Sequence, residues 1–330
     1  MPFSLRLERA APPVSSDDPR AVALAFLRKV GAVSEGYDPL GDGREASAPP
    51  PVRVLVDCLL MEPERSWSAA EMATSIGVPV GQVYRALLKF EALDWVAQAE
   101  GGPKGALAGK RFRLRFGRLV DAWRFTDLAA GLCLERYARL AHLIEARVAP
   151  HRDRPAGRAA PLRGMENAPT ARETFVMELS DQPLPSEGAP KDLAAAFLQA
   201  IGLIGDRTGG RKVASLPSFR MFYAAFVLGG ERWWSFDELG KQAPSTRPTL
   251  LKHLRRIEGL DLVERTAIPD ELGFPRRYFR LRHGSLSRAF EFTDARARLA
   301  LDSMARWAEH LDKLVEEERA APKKAAPRAK

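Results

Sequence analysis

The sequence repeats itself at a constant shift, and this feature constrains the fold more than any other. Arg53 aligns with Arg220, a shift of 167 residues, and the match continues without a gap to Ile144, which aligns with Leu311. Two copies are too few for a stacked solenoid, which usually needs at least three repeats. The repeat therefore predicts two self-contained domains.

Composition divides the chain into four regions. The first repeat occupies residues 1–147 and the second occupies residues 173–318. Between them, residues 148–172 are rich in proline and arginine and lack apolar periodicity, which predicts a linker. The last residues, 319–330, form a basic tail that is predicted to be disordered.

A capping box marks the start of a short helix in each copy. In the second copy, Ser235 precedes Glu238 by three residues, so the serine hydroxyl can accept from the glutamate amide while the carboxylate reaches back. Ser68 and Glu71 repeat this device in the first copy. Before the box of the second copy, Phe219–Leu228 is an apolar run of helical length, which predicts a preceding helix.

A second short helix follows a turn in both copies. It is predicted over Val80–Leu93 in the first copy and Arg247–Leu260 in the second. In the second copy Thr246 or Ser245 is the expected N-cap, and Pro248 suits the first helical turn. Two short helices joined by a tight turn predict a helix-turn-helix.

Two short strands come next and predict a hairpin. The first strand is DWVAQ or DLVER, and basic and apolar residues alternate in the second strand, at 110–116 and 279–282. A period of two places apolar side chains on the core face and guanidinium groups on the opposite face.

The order of helix, capped helix, turn, helix and hairpin resembles the winged helix-turn-helix superfamily. The stretch TRPTLLKHLRRIEGLDLVER is similar to the recognition helix and first wing strand of bacterial repressors of the MarR and ArsR kind. The resemblance implies a mainly α fold with small β-hairpins, of the α+β class, in which two tandem winged helix-turn-helix domains are each followed by a long C-terminal helix. It also implies that the second short helix enters the major groove of DNA while the hairpin, or wing, contacts the backbone or the minor groove.

The resemblance implies DNA-binding residues in both copies. Arginine suits this task because its planar fork binds guanine or phosphate with two hydrogen bonds, although solvated surface charge is the alternative interpretation. The candidates of the second copy are Thr246, Arg247, Thr249, Lys252, His253 and Arg256 on the helix and Arg276, Arg277, Arg280 and Arg282 on the hairpin. The candidates of the first copy are Gln82, Arg85, Lys89, Lys110, Arg111, Arg113 and Arg115.

The first copy is the weaker candidate for DNA binding. Its second helix, VGQVYRALLKFEAL, carries less positive charge than that of the second copy, although its hairpin strand is fully basic. Two interpretations stay open: this copy reads a different half-site, or it has drifted toward a structural or partner-binding role.

A long helix is predicted to close each copy. Thr126-Asp127 and Thr293-Asp294 are the expected N-caps, so helices are predicted over 126–147 and 293–318. Apolar residues recur along both helices with heptad spacing. Three arrangements are open: packing of each helix on its own domain, pairing within one chain as a pseudo-dimer, and self-association of two chains. The seam residues are Cys133, Tyr137, Leu140 and Ile144 in the first copy and Ala300, Met304, Trp307, Leu311 and Leu314 in the second.

Composition indicates an acidic partner and a reducing compartment. The net charge of +9 favours an anionic partner without identifying it. Cys58 and Cys133, the two cysteines, each lie in an apolar stretch, so no disulfide is expected and a cytoplasmic, nucleoid-associated location is predicted. No apolar run is long enough to span a bilayer.

The sequence contains no visible catalytic constellation. The five histidines lie apart from one another and from the cysteines, and no serine lies in a G-x-S-x-G elbow. No catalytic residue, metal or cofactor is predicted, and the chain is not expected to be an enzyme. A cavity for a small-molecule effector, lined by tryptophans, is less economical than core packing. Those tryptophans are Trp95, Trp123, Trp233 and Trp307.

These patterns together favour a transcriptional regulator that binds double-stranded DNA sequence-specifically, as a pseudo-dimer or a homodimer. The alternative is a tandem winged-helix interaction subunit of a chromosome-associated or replication assembly. A plasmid-type replication initiator shares the plan of two winged helices, but no motif supports it.

Overall fold

The computed structural model describes residues 3–8, 16–33, 48–99, 110–152, 175–205, 213–269 and 275–321. These residues are mainly helical, with small antiparallel sheets, which confirms the predicted α+β class. Most of the predicted linker, most of the basic tail and the tips of both predicted hairpins lie outside the described residues.

The first copy consists of short helices, a small sheet and one long helix. In chain order its elements are β1 (Ser4–Glu8), α1 (Pro19–Lys29), α2 (Pro50–Arg53), a π-helical segment (Val54–Leu60), β2 (Trp67–Ser68), α3 (Ala69–Ile76), α4 (Val80–Ala92), β3 (Val96–Ala99), β4 (Arg111–Leu114), a 3-10 turn (Arg115–Gly117), α5 (Leu119–Val148) and a second 3-10 turn (Ala149–His151).

The second copy has corresponding elements. They are β5 (Val176–Ser180), α6 (Pro190–Ala200), a 3-10 turn (Val213–Ser215), α7 (Pro217–Arg220), a π-helical segment (Met221–Val227), β6 (Trp234–Ser235), α8 (Phe236–Gln242), α9 (Arg247–Gly259), β7 (Val263–Pro269), β8 (Pro275–Leu281), a 3-10 turn (Arg282–Gly284) and α10 (Leu286–Ala320).

The two copies match in local geometry at the shift of the sequence repeat. Both contain a π-helical segment, closed by a hydrogen bond from the Leu228 amide to the Tyr223 carbonyl in the second copy, at 2.9 Å. Asp94 and Asp261, at equivalent positions after α4 and α9, both have positive φ, at 63° and 61°. An aspartate tolerates this left-handed backbone better than most residues. The duplication therefore extends to unusual backbone conformations.

Both predicted capping boxes are present. Ser68 accepts from the Glu71 amide at 3.2 Å, and the Glu71 carboxylate accepts from the Ser68 amide at 2.8 Å. Ser235 and Glu238 form the same pair at the start of α8. These contacts satisfy amides that a helix N-terminus otherwise leaves without partners, which fixes where α3 and α8 begin.

Each copy builds a three-stranded antiparallel sheet. The strand orders are β2-β4-β3 and β6-β8-β7, with the later strand of the hairpin in the centre. The predicted strand at 110–116 is shorter than expected, because Phe116 has a φ of 60° and lies in a 3-10 turn. A residue with that backbone cannot continue a strand.

Aromatic residues form the core of the first copy. Trp95 and Trp123 both pack against Phe26, with ring centroids 5.4 and 5.7 Å apart, and all three side chains are buried. The Trp95 indole donates to the Thr126 hydroxyl at 2.9 Å, so its polar atom is satisfied. Core packing therefore accounts for the two tryptophans that were considered for an effector cavity.

The chain divides into two compact units that do not coincide with the sequence repeats. The first unit contains Met1–Leu5, Ala10–Ala129 and Ala300–Lys330, and the second contains Arg6–Arg9 and Ala130–Leu299. Each unit thus combines the short helices and hairpin of one copy with the C-terminal part of the long helix of the other copy. The division by contacts runs through α5 and α10, whereas the predicted boundaries at 147 and 173 follow the repeat.

The predicted start of the long helices is wrong. Helix α5 begins at Leu119 and α10 begins at Leu286, seven residues before the threonines that were expected as N-caps. The caps come from distant positions: Asp312 accepts from the amides of Leu119 and Val120 at 3.0 and 2.9 Å. At the equivalent position of the first copy, Glu145 accepts from the Leu286 amide at 2.8 Å. Each long helix is therefore capped by an acidic residue from the long helix of the other copy.

The two threonines lie within the long helices and form hydrogen bonds to other segments. Thr126 and Thr293 are fully buried, and their hydroxyls donate to the carbonyls of Leu93 and Leu260, just after α4 and α9. A threonine followed by an aspartate has the sequence of an N-cap, but here the hydroxyl fixes the long helix to the preceding short helix.

The apolar seam of each long helix is buried. In the first unit, Trp307 and Leu311 of α10 are almost fully buried, and in the second unit Tyr137 of α5 is fully buried. The Tyr137 hydroxyl accepts from the Ser180 amide of β5 at 2.9 Å. Each seam is therefore covered within one chain, by the unit that contains the other copy.

Candidate nucleic-acid interface

Helix α9 separates an apolar face from a cationic face. Leu250, Leu254 and Ile257 are buried and fix the orientation of the helix. Arg247 and Lys252, both predicted DNA-binding residues, lie exposed on the other side. Within the part of the chain that the structure describes, neither has a carboxylate partner. The core packing of α9 thus leaves two positive charges facing solvent.

Local contacts order the N-terminal end of this face. The guanidinium of Arg247 lies over the ring of Phe236, at 5.2 Å from its centroid. The hydroxyls of Thr246 and Thr249 are 2.9 Å apart and share a hydrogen bond. Thr246 is the N-cap residue of α9, but its side chain makes no hydrogen bond to a backbone amide of the helix.

Arg255 is a further cation of α9 that was not among the predicted DNA-binding residues. This side chain is exposed, and no described residue pairs with it. It follows Lys252 by three residues, a spacing that places two side chains on one side of a helix. We define the cationic face of α9 as Arg247, Lys252 and Arg255.

His253 lies away from this face. It borders a recess lined by Leu198, Leu203, Ser218 and Ile257. Burial, together with the charges of Arg256 and Lys252, lowers the pKa of His253 below its ordinary value. Its imidazole lies against the recess and not on the cationic side of the helix.

The hairpin of β7 and β8 presents two further cations. Arg276 and Arg277 are exposed, whereas Tyr278 and Phe279 are buried. The alternation of the predicted strand holds from Phe279 onward, where Leu281 is again buried. Arg277 has no ion-pair partner among the described residues.

Arg280 and Arg282 are instead bound within the protein. Arg280 pairs with Glu264 on the neighbouring strand at 2.5 Å and lies 4.4 Å from the centroid of Trp233. Arg282 pairs with Asp261 at 3.0 Å. Both guanidinium groups are about three-quarters buried, so their charges are largely neutralised by these contacts.

Two basic residues at equivalent positions of α4 and α9 serve the fold. Arg256 donates to the carbonyls of Gly202 and Leu203, after the end of α6. Lys89 donates to the Ala32 carbonyl, after the end of α1, and burial lowers its pKa. A cation at these carbonyls satisfies acceptors in the turn that follows each helix.

The first copy has fewer unpaired cations. On α4, Gln82 and Arg85 are exposed. Arg113 on the hairpin strand β4 and Lys110, the residue before that strand, are also exposed. None of these four side chains has a partner within the described ranges. They lie in the first unit together with the hairpin.

The other two arginines of β4 and its adjoining turn are bound. Arg111 donates to the Ser66 carbonyl at 2.7 Å and pairs with Glu71 at 2.9 Å. Arg115 pairs with Asp94 at 3.1 Å, which is the counterpart of the pair between Arg282 and Asp261. The arginines shared by the two copies at this position therefore fix the end of the hairpin to the preceding short helix.

The described residues offer neither a metal site nor a membrane-spanning helix. They contain no group of three or more histidine, cysteine, aspartate or glutamate side chains that could hold a metal ion. None of the described helices is both long and apolar enough to cross a membrane. Comparison with family models, curated proteins and solved structures found no match to this chain.

Proposed function

We propose that this chain is a sequence-specific double-stranded DNA-binding protein that regulates transcription, and that each copy is a winged helix-turn-helix module. The observation that carries the proposal is the cationic face of α9, which has no carboxylate partner in the described chain. Three cations on one side of a short helix, each free to bind an anion, match the phosphate and base edges of a major groove.

Two further observations support this proposal. The exposed Arg277 on the following hairpin provides a second contact of the kind that a wing makes. The chain as a whole carries a net charge of +9, which favours association with nucleic acid and is consistent with a nucleoid-associated location.

The side chains suggest separate roles in DNA binding. Lys252 and Arg277 supply phosphate contacts, which provide affinity for any sequence and weaken as salt rises. Arg247, at the N-terminus of α9, is the best-placed residue for a two-pronged hydrogen bond to guanine. Loss of such a contact costs about 1–3 kcal/mol on the preferred sequence.

Selection from random duplex DNA, followed by binding measurements against salt, tests the proposal. We expect an enriched sequence, and a linear fall of the logarithm of affinity with the logarithm of salt, at about 0.9 per phosphate neutralised. Arg247→Ala should weaken binding to the enriched sequence more than to random DNA. Arg306→Ala, which removes an exposed arginine from α10, is the matched control and should change neither. Failure to enrich any sequence would refute the proposal.

One observation favours a second candidate, an interaction subunit of a larger assembly. Phe116, Phe125 and Leu128 are 59%, 43% and 62% exposed in the first unit, and the two phenylalanine rings stack at 4.8 Å. Exposed apolar residues in a cluster are typical of protein contacts. This candidate predicts weak DNA affinity at physiological salt together with stable co-purification of a partner chain.

A further inference from the structure

Helices α4 and α9 occupy equivalent positions in the two copies, but their exposed faces carry different side chains. Arg247 and Arg255 on α9 correspond to Val80 and Leu88 on α4. Val80 and Leu88 are 44% and 46% exposed, so they do not contribute to the core as the buried residues of α4 do. The face of α4 therefore presents apolar side chains where α9 presents guanidinium groups.

Polar side chains on the same helix complete this face. Gln82 and Arg85 are both exposed, at the positions that Thr249 and Lys252 occupy on α9. We define the mixed face of α4 as Val80, Gln82, Arg85 and Leu88. It offers one amide and one guanidinium between two apolar side chains.

The hairpin that follows α4 carries exposed positive charges, although α4 carries fewer of them than α9. Arg113 on β4 and Lys110, the residue before β4, are exposed and have no partner among the described residues. A surface with cations beside an apolar helix face is complementary to a major groove rich in A·T pairs, where phosphates flank the C5-methyl groups of thymine. A docking surface for an uncharged protein segment would not require those cations.

We propose that the two copies read half-sites of different composition, an inference that rests on the proposed DNA-binding function. Arg247 and Arg255 of α9 read guanine through its O6 and N7 acceptors. Val80 and Leu88 of α4 contact thymine methyl groups, and Gln82 binds adenine through N6 and N7. The preferred site is then asymmetric, with a G·C-containing half and an A·T-rich half.

Base analogues in the enriched site test this assignment one contact at a time. Deoxyuridine in place of thymine removes only the C5-methyl group, and 7-deazaguanine removes the N7 acceptor of guanine. We expect deoxyuridine to weaken binding about fourfold for each contacted methyl group, and only in one half of the site. We expect 7-deazaguanine to weaken binding at least fivefold, and only in the other half.

Variants then connect each half to one copy. The double variant Val80→Ala with Leu88→Ala should lose the response to deoxyuridine and keep the response to 7-deazaguanine. The double variant Arg247→Ala with Arg255→Ala should show the opposite pattern. Both variants change only exposed positions, so folding should be retained. Leu128→Ala removes an exposed leucine elsewhere in the first unit and should leave both responses unchanged.

Three results would overturn the asymmetric reading while leaving DNA binding intact. They are an enriched site with two alike halves, an enriched site with a single half, and an undiminished response to deoxyuridine in the Val80 and Leu88 variant. The last result would mean that side chains other than Val80 and Leu88 contact the thymine methyl groups. Failure to enrich any sequence would instead remove the proposed function, and this inference with it.

Discussion

Arg277 and Arg280 lie three residues apart on β8, but their surroundings differ. Arg277 is exposed and unpaired in the described chain, whereas Arg280 contacts both Glu264 and Trp233. We expect Arg280→Ala to lower the free energy of unfolding by about 1–2 kcal/mol, because it leaves a partly buried carboxylate without its partner. Thermal or urea unfolding measures this loss.

The matched change on the same strand should affect binding instead of stability. Arg277→Ala is expected to stay within about 0.5 kcal/mol of the wild-type stability, as exposed substitutions usually do. For this variant, the slope of the logarithm of DNA affinity against the logarithm of salt should become shallower by about 0.9, the contribution of one phosphate contact. Equal stability of the two variants would contradict the roles assigned to these arginines.

Sequence patterns identified which strands carry the arginines, but not which carboxylates they meet. Alternation over 279–282 indicated a basic face formed by Arg280 and Arg282, whereas the exposed Arg277 lies outside that alternation. The pairing of Arg282 could not be predicted, because Asp261 lies 21 residues away and reaches it from a left-handed backbone position. A basic residue shared by two copies can therefore serve the fold, as Arg115 and Arg282 do, or face solvent.

The capping box of α3 contributes a pH-dependent part of the folding stability. The Ser68 amide, followed by contacts with Arg111, lowers the pKa of Glu71 below its ordinary value despite an opposing effect of desolvation. The stabilisation is therefore present above the unfolded pKa of about 4.5 and is lost as pH falls through the lower folded pKa. Unfolding of wild type and Glu71→Gln, measured from pH 7 to pH 3, should show a stability difference that shrinks with acid. A constant difference would contradict the cap.

The start of the long helices shows which contacts a sequence reveals. The capping boxes were predicted because donor and acceptor lie three residues apart. Asp312 lies 193 residues from Leu119, so the true cap of α5 has no local pattern. The threonine at 126 has the local pattern of a cap but donates to a carbonyl of the preceding helix. Contacts between distant segments therefore determine both where α5 begins and what Thr126 binds.

The cap at α5 provides a direct test of this long-range contact. Asp312 is almost fully buried and satisfies two amides, so Asp312→Ala should lower the free energy of unfolding by about 1–2 kcal/mol. Asp302→Ala removes an exposed aspartate from the same helix and should cost less than about 0.5 kcal/mol. Equal effects in chemical unfolding would mean that Asp312 does not cap α5.

At the scale of the whole molecule, the seams of α5 and α10 are already used. Trp307, Leu311 and Tyr137 are buried within one chain, so the heptad pattern offers no free surface to a second chain along these positions. We expect light scattering to give the mass of a single chain, 36.5 kDa. A species of twice that mass would favour the homodimer that the sequence left open.

Each unit contains the C-terminal part of the long helix from the other copy, so neither repeat supplies all of its own unit. The first unit contains residues from Ala300 onward, including Asp312, and Glu318, which contacts Arg20 at 3.6 Å. A chain ending at residue 299 should therefore lose the fold of the first unit, because Trp307 and its neighbours no longer cover the apolar side chains there.

Hydrogen exchange can locate this loss within the chain. In the chain ending at residue 299, amides between residues 16 and 129 should exchange rapidly, while those between 217 and 299 keep more of their protection. A chain ending at residue 321 retains all of α10 and should match the full-length protein in both regions. Protection of the first unit without residues 300–320 would show that each repeat folds alone, as the sequence repeat by itself suggests.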